Sequence, residues 1–125
     1  MLSGDLEEIT SEGSGDEPVG TDEEAGSSPC IQIGRTYLSW NKRDIWGYGS
    51  VSCKGSSANL TIRRHRWNGW QDIVTKTVKY GQGDVYIGYD CTGTGTHDFI
   101  TRIWGNGPAG DFHYKDSNTI RVTCP

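Results

Sequence analysis

The sequence predicts an all-β domain, a small disulfide-stapled β-sandwich preceded by an acidic, disordered extension. Three observations carry this. Short runs of aromatic and branched residues alternate with polar ones and are separated by Gly-rich turns, with no sustained 3.6-residue period. Four cysteines, Cys30, Cys53, Cys91 and Cys124, are widely spaced and include no C-x-x-C pair. The charge splits sharply: residues 1–29 hold nine acids and no Lys or Arg, while residues 30–125 hold seven acids and all twelve Lys and Arg. A segment of charge −9 thus precedes a domain of charge +5, which the overall −4 conceals.

Residues 1–29 are rich in Ser, Gly, Glu and Asp. So little apolar surface cannot offset the entropy of ordering, so the segment is expected to be disordered alone and to order on a partner. Its candidate contact residues are Leu2, Leu6, Glu7, Glu8, Ile9 and Val19, the apolar ones as anchors and the acids as steering charges. The acids that follow Met1, and the lack of an apolar run of signal-peptide length, suggest a mature sequence start.

Residues 30–125 form the predicted domain. A first strand is expected from Ile31 towards Trp40, and a second from Trp46 to Cys53. Residues 60–78 read as a hairpin centred on Asn68-Gly69, a pair that favours a two-residue type I′ turn. That register opposes Trp67 to Trp70, His65 to Asp72 and Arg63 to Val74. Val85, Ile87, Tyr89 and Cys91 alternate along one face of the next strand, and residues 92–96 form a Gly/Thr turn. Phe99, Thr101 and Ile103 mark another strand, residues 105–110 a loop, and Ile120, Val122 and Cys124 the inward face of the last. About seven short strands suit an immunoglobulin-like sandwich, although strand order is not legible.

Two disulfides are expected, and with them a secreted, extracellular protein. Pairing Cys30 with Cys53 and Cys91 with Cys124 staples each half of the chain separately. Cys53–Cys91 with Cys30–Cys124 is the rival.

The leading candidate site is the basic hairpin, Arg63, Arg64, Arg66, Trp67 and Trp70. Arg and Trp are favoured interface anchors, and a guanidinium forms paired bonds to carboxylates. Three histidines without metal-ligand spacing, and a Thr-Gly run without the Lys of a phosphate loop, point away from catalysis, and no cofactor or metal is expected. A domain of only +5 with an acidic leader argues against nucleic acid, and no segment reads as membrane-spanning. Asn59-Leu60-Thr61 matches a glycosylation sequon but falls within a predicted strand.

The stretches SVSCKGS (50–56), RWNGW (66–70), DCTGTGTHDFITR (90–102) and IRVTC (120–124) resemble small secreted β-domains of filamentous actinobacteria. Among these the chain looks most like the adaptor subunit of umbrella toxin particles. The resemblance implies a non-enzymatic adaptor that joins two different subunits of an antibacterial complex. Residues 2–19 would fill the cleft of a trypsin-like lectin subunit. The basic hairpin, or another positive loop, would enter an acidic helical-repeat ring of a large spoke protein. A homo-oligomer is not expected. Two other classes remain: a carbohydrate-binding domain, suggested by Trp40, Trp46, Tyr48, Trp67, Trp70, Trp104 and Tyr114, and a nuclease-like toxin with the leader as an inhibitory mimic.

Overall fold

The computed structural model describes residues 29–106 and 112–125. Among these, nine strands run in chain order: β1 (Ile31–Ile33), β2 (Tyr37–Leu38), β3 (Asp44–Val51), β4 (Ser57–Arg66), β5 (Gly69–Lys79), β6 (Val85–Asp90), β7 (Gly95–Asn106), β8 (Phe112–Asp116) and β9 (Ile120–Cys124).

They form two antiparallel sheets. In the first, β3 is central, with β1 and β2 along one edge and β6 along the other. In the second, the order is β5-β4-β7, with β8 and β9 sharing the far edge of β7. Taken as two broken strands, β1/β2 and β8/β9 reduce the fold to seven positions, three facing four. The chain visits the sheets as in immunoglobulin-like sandwiches, with one difference from the constant-type arrangement: the fourth strand, β5, pairs with β4 rather than joining the three-position sheet.

Alternation explains the core. Ile45 and Val51 of β3, Ala58, Leu60 and Ile62 of β4, Ile87 of β6, Phe99 and Ile103 of β7, and Ile120 and Val122 of β9 are buried between the sheets. Each recurs at period two, so one face of every strand supplies the interior.

Residues 31–40 are not one continuous strand. The chain breaks at 34–36, where Thr36 turns inward and is fully buried. The opposite sheet breaks at 117–119, and the two breaks meet. Thr36 N–H donates to Asn118 Oδ1 (3.0 Å), and Asn118 Nδ2 returns a bond to the Thr36 carbonyl (3.1 Å). The Thr36 hydroxyl also shares hydrogen bonds with Thr101 (2.7 Å) and Ser117 (2.6 Å). Polar groups that leave the ladders thus satisfy one another inside the sandwich.

The two disulfides mark the ends of the domain. Cys30–Cys53 closes the end where β1 begins and β3 finishes. Cys91–Cys124 closes the other, joining the end of β6 to the end of β9 and so tying one sheet to the other. Both are bonds that an oxidising compartment sustains.

Strand β8 was not anticipated. Its residues, Phe112 to Asp116 in β8, pair with Arg102–Asn106 of β7. The predicted sequon is structural at its third position, since buried Thr61 accepts from Trp104 Nε1 (3.1 Å) and bonds Thr75 (3.1 Å).

Candidate functional site

The β4–β5 hairpin is real, but its register differs from the Asn-Gly expectation. Arg66 pairs with Gly69, His65 with Trp70, Arg64 with Gln71 and Arg63 with Asp72. A type I′ turn needs positive φ at both Asn68 and Gly69. Only Gly69 has it, at 114°, and Asn68 does not. The arrangement is that of a turn through Trp67-Asn68 closed by a left-handed glycine. The register shifts again between Ile62 and Arg63, where Ile73 is the extra residue of β5.

This register redistributes the predicted site. Trp67 does not face Trp70; it stands at the tip, 90% exposed. Arg63 faces Asp72 rather than Val74, and its Nε donates to Asp72 Oδ1 at 2.7 Å. The expected His65–Asp72 pair is absent; His65 instead packs edge-on against Trp70, centroids 5.0 Å apart. Arg64 and Arg66 occupy the opposite face of the hairpin, where both donate to Gln71 Oε1, at 3.2 and 3.4 Å. Among the described residues neither engages a carboxylate. Arg64 Nε and Trp70 Nε1 are buried donors without a hydrogen-bond partner, a costly condition for polar groups. The five predicted residues therefore share one tip but divide between its two faces.

A second exposed tryptophan lies at this end. Pairing of Asp44 with Asp90, and the short turn from β6 into β7, put the β2–β3 turn at the same end of the sandwich as the hairpin tip. Trp40 lies in that turn and is 92% exposed. The turn is tied by Lys42 N–H to the Ser39 carbonyl (2.8 Å) and Ser39 N–H to that of Asp44 (2.9 Å), with Lys42 at φ 62°. Lys42 and Arg43 join Arg64 and Arg66 as cations of this end. Asp90 also lies here, its carboxyl held below the usual range by hydrogen bonds from the Thr92 hydroxyl and N–H, with Arg43 adding to the effect.

The extension residues Leu2, Leu6, Glu7, Glu8, Ile9 and Val19 lie outside the described residues. So does most of the loop expected at 105–110. The root of the extension is defined, however: the Pro29 carbonyl accepts from Gln32 Nε2 (3.0 Å) and Ser52 Oγ (2.9 Å), beside Cys30–Cys53.

No family model, curated protein or solved structure matches the chain.

Two further clusters were only partly legible in the sequence. On the outer face of the larger sheet, Arg102 makes a two-pronged pair with Asp116 (2.7 and 3.0 Å) and lies 4.0 Å over the Tyr114 ring. Trp104 and Phe112 extend this surface, at 6.0 Å between centroids. A shallow groove of about 220 Å³ runs between Arg63, Asp72, Arg102, Trp104 and Phe112. On the outer face of the smaller sheet, Tyr37, Trp46, Tyr48 and Tyr86 gather across three adjacent strands. Trp46-x-Tyr48 was a visible signal, but Tyr37 and Tyr86 join them only through strand pairing.

His97 does not pair with Asp98. Its Nε2 lies 3.0 Å from the Thr94 carbonyl, while Asp98 accepts from Arg121 (3.0 Å). Among the described residues no group of three or more His, Cys, Asp or Glu is placed to hold a metal ion.

Proposed function

We propose that this protein is a secreted, non-enzymatic adaptor that bridges two different protein partners. The acidic extension binds one, and the basic, Trp-bearing end of the sandwich binds the other. By the resemblance above, the partners are subunits of an antibacterial toxin particle: a trypsin-like lectin for the extension and an acidic repeat ring for the domain.

The observation that supports this most is a separation. The extension leaves the sandwich at the Cys30–Cys53 end, and Trp67 and Trp40 project from the other. Strand β4 alone, ten residues long, spans about 33 Å between these ends. Two proteins can occupy such sites at once without colliding, and linkage through one chain raises overall avidity through effective concentration. The charges favour different partners. Nine acids steer the extension towards a basic surface, and the cations around two exposed indoles suit an acidic cavity.

The test uses the full chain and a form lacking residues 1–29 as baits in matched secreted-protein extracts, with bound proteins identified by mass spectrometry. Two proteins retained by the full chain, and only one of them by the shortened form, is the expected result. If both baits retain the same proteins equally, or neither retains any, bridging through the extension is wrong.

A further inference from the structure

The outer face of a sandwich sheet normally alternates to polar residues. The smaller sheet does the reverse. Trp46 and Tyr48 of β3, Tyr37 of β2 and Tyr86 of β6 all point away from the core, because Ile45, Gly47 and Gly49 take the inward positions between them. Tyr86 remains 46% exposed.

The rings lie down on the sheet, and two glycines make this possible. A Cβ on Gly88 would meet the Trp46 indole at 2.7–3.0 Å, and a Cβ on Gly34 would meet the Tyr48 ring at 2.1–2.4 Å. The Trp46 ring therefore occupies the space above β6, and the Tyr48 ring the space above the break that follows β1, where a side chain would otherwise stand. Tyr86 stacks on Tyr48 with centroids 4.9 Å apart and planes 25° from parallel. The Tyr37 phenol is held above its ordinary range by burial, with Tyr86 and Tyr48 adding to the effect.

Beside Trp46 is a depression of about 500 Å³, lined also by Asp44, Asp90, Lys76, Tyr86 and Gly88 among others. Asp44 and Asp90 are directly opposed across β3 and β6. Both bonds from Thr92 go to Asp90 Oδ1, which leaves Oδ2 for a ligand. Lys76 Nζ spends one N–H on the Tyr86 carbonyl (3.1 Å), and an ammonium has three.

We propose that this face binds a neutral glycan, with a pyranose ring stacked on Trp46 or Tyr86 and its hydroxyls bonded to Asp44, Asp90 and Lys76. The rim selects the ligand class. The two carboxylates repel an anion and Lys76 offsets one of them, so little net field is left to hold a cation, whereas adjacent hydroxyls of a sugar donate to the carboxylates and accept from the ammonium. The aromatic floor meets the apolar face of the ring. The depression has the size of a small-ligand site. This platform lies on the outer face of the smaller sheet, away from the root of the extension, and borders the Trp40-bearing end only at Asp44 and Asp90. Trp46 and Tyr86 lie outside that end, so their response distinguishes glycan binding from the adaptor function.

The test is an NMR titration of the full chain with tetrasaccharides of β-1,4-linked glucose, xylose and N-acetylglucosamine, and with maltotetraose and tetralysine. At least one neutral saccharide should shift the Trp46 indole resonance and leave that of Trp67 unmoved. Asp90→Asn should weaken binding about three- to tenfold, as expected for losing a charged hydrogen-bond acceptor. Tyr86→Ala should weaken it similarly, and Trp46→Phe should retain binding in part. Unchanged resonances of the opposite sheet will show that each variant is folded. The proposal is overturned if no neutral saccharide moves Trp46 at about 10 mM, a millimolar ceiling for weak binding. It is equally overturned if Asp90→Asn and Tyr86→Ala both bind as the parent does, or if tetralysine alone occupies the face.

Discussion

The hydroxyl of Thr36 lies 2.7 Å from that of Thr101, and this contact sits at the centre of a polar seam between the two sheets. Thr36 comes from the break between β1 and β2, Thr101 from the middle of β7. Ser117 completes the seam: its hydroxyl accepts from Thr101 N–H (2.9 Å) and bonds Thr36 (2.6 Å). Thr36 and Thr101 are both fully buried.

Replacing Thr36 with Val keeps the shape but leaves the Thr101 hydroxyl short of its partner, whereas the Ser117 hydroxyl keeps Thr101 N–H and the Asn118 carbonyl. The expected loss is about 1–3 kcal/mol, the cost of stranding buried polar groups. The double variant Thr36→Val with Thr101→Val should cost less than the sum of the singles, because the second change removes a group that the first had stranded. Urea denaturation with both disulfides intact measures this. A neutral Thr36→Val would mean that the seam positions the sheets without stabilising them.

Much of this fold was legible because burial follows a period of two. Ile87 and Cys91, Phe99 and Ile103, and Ile120 and Val122 were recognisable as inward pairs from spacing alone. The seam was not, since nothing local marks Thr36 as buried; its partners lie 65, 81 and 82 residues away. Strand β8 is not legible in the sequence for a related reason. Phe112, His113 and Tyr114 do not alternate cleanly, and their order comes from pairing with β7. At the candidate site, the residue types were legible and their faces were not. At the tip the register is displaced by two residues, which exchanges the partners and gives Asp72 to Arg63 instead of His65; beyond the extra residue Ile73 the displacement is one residue, which turns the β5 side chains over relative to β4.

The hairpin turn supplies a direct check of that register. Gly69 has φ 114°, which a residue with a Cβ adopts at a cost, so Gly69→Ala should destabilise by about 1–2 kcal/mol. Asn68 is not in the left-handed region, so Asn68→Ala should cost less than about 0.5 kcal/mol. In a type I′ turn both changes would be costly. Equal destabilisation by the two substitutions, read from thermal unfolding, would restore the Asn-Gly turn and its pairing of Trp67 with Trp70.

Two shifted groups give the stability a pH dependence of known sign. Burial, then the neighbouring Tyr86 and Tyr48, raise the Tyr37 pKa in the folded protein. Its contribution is complete below the unfolded tyrosine value of about 10 and is lost as pH rises from there through the folded value. Asp90 has the opposite sense: hydrogen bonds from Thr92 lower its pKa, so its contribution is present above the unfolded Asp value and fades as pH falls through the folded one. Tyr37→Phe should flatten the alkaline limb of a stability–pH profile and leave the acid limb unchanged; Asp90→Asn should do the reverse. An alkaline limb that is unaltered in Tyr37→Phe would assign it to other groups.

The hairpin tip allows binding to be separated from folding. Trp67 is 90% exposed, so Trp67→Ala removes little buried surface and should change stability by no more than about 0.5 kcal/mol. As an interface anchor, the same side chain would account for a loss of about 2 kcal/mol or more, roughly thirtyfold in affinity. Arg64→Ala is a less clean probe, because it also releases Gln71 and removes a buried Nε that lacks a partner. Trp67→Ala is therefore the decisive variant. With the adaptor function, it releases the partner held by the domain and keeps the partner held by residues 1–29, the mirror image of deleting the extension. Retention of both partners by Trp67→Ala, with binding curves matching the parent, would remove the hairpin tip from the interface and direct attention to Trp40 across the same end of the sandwich.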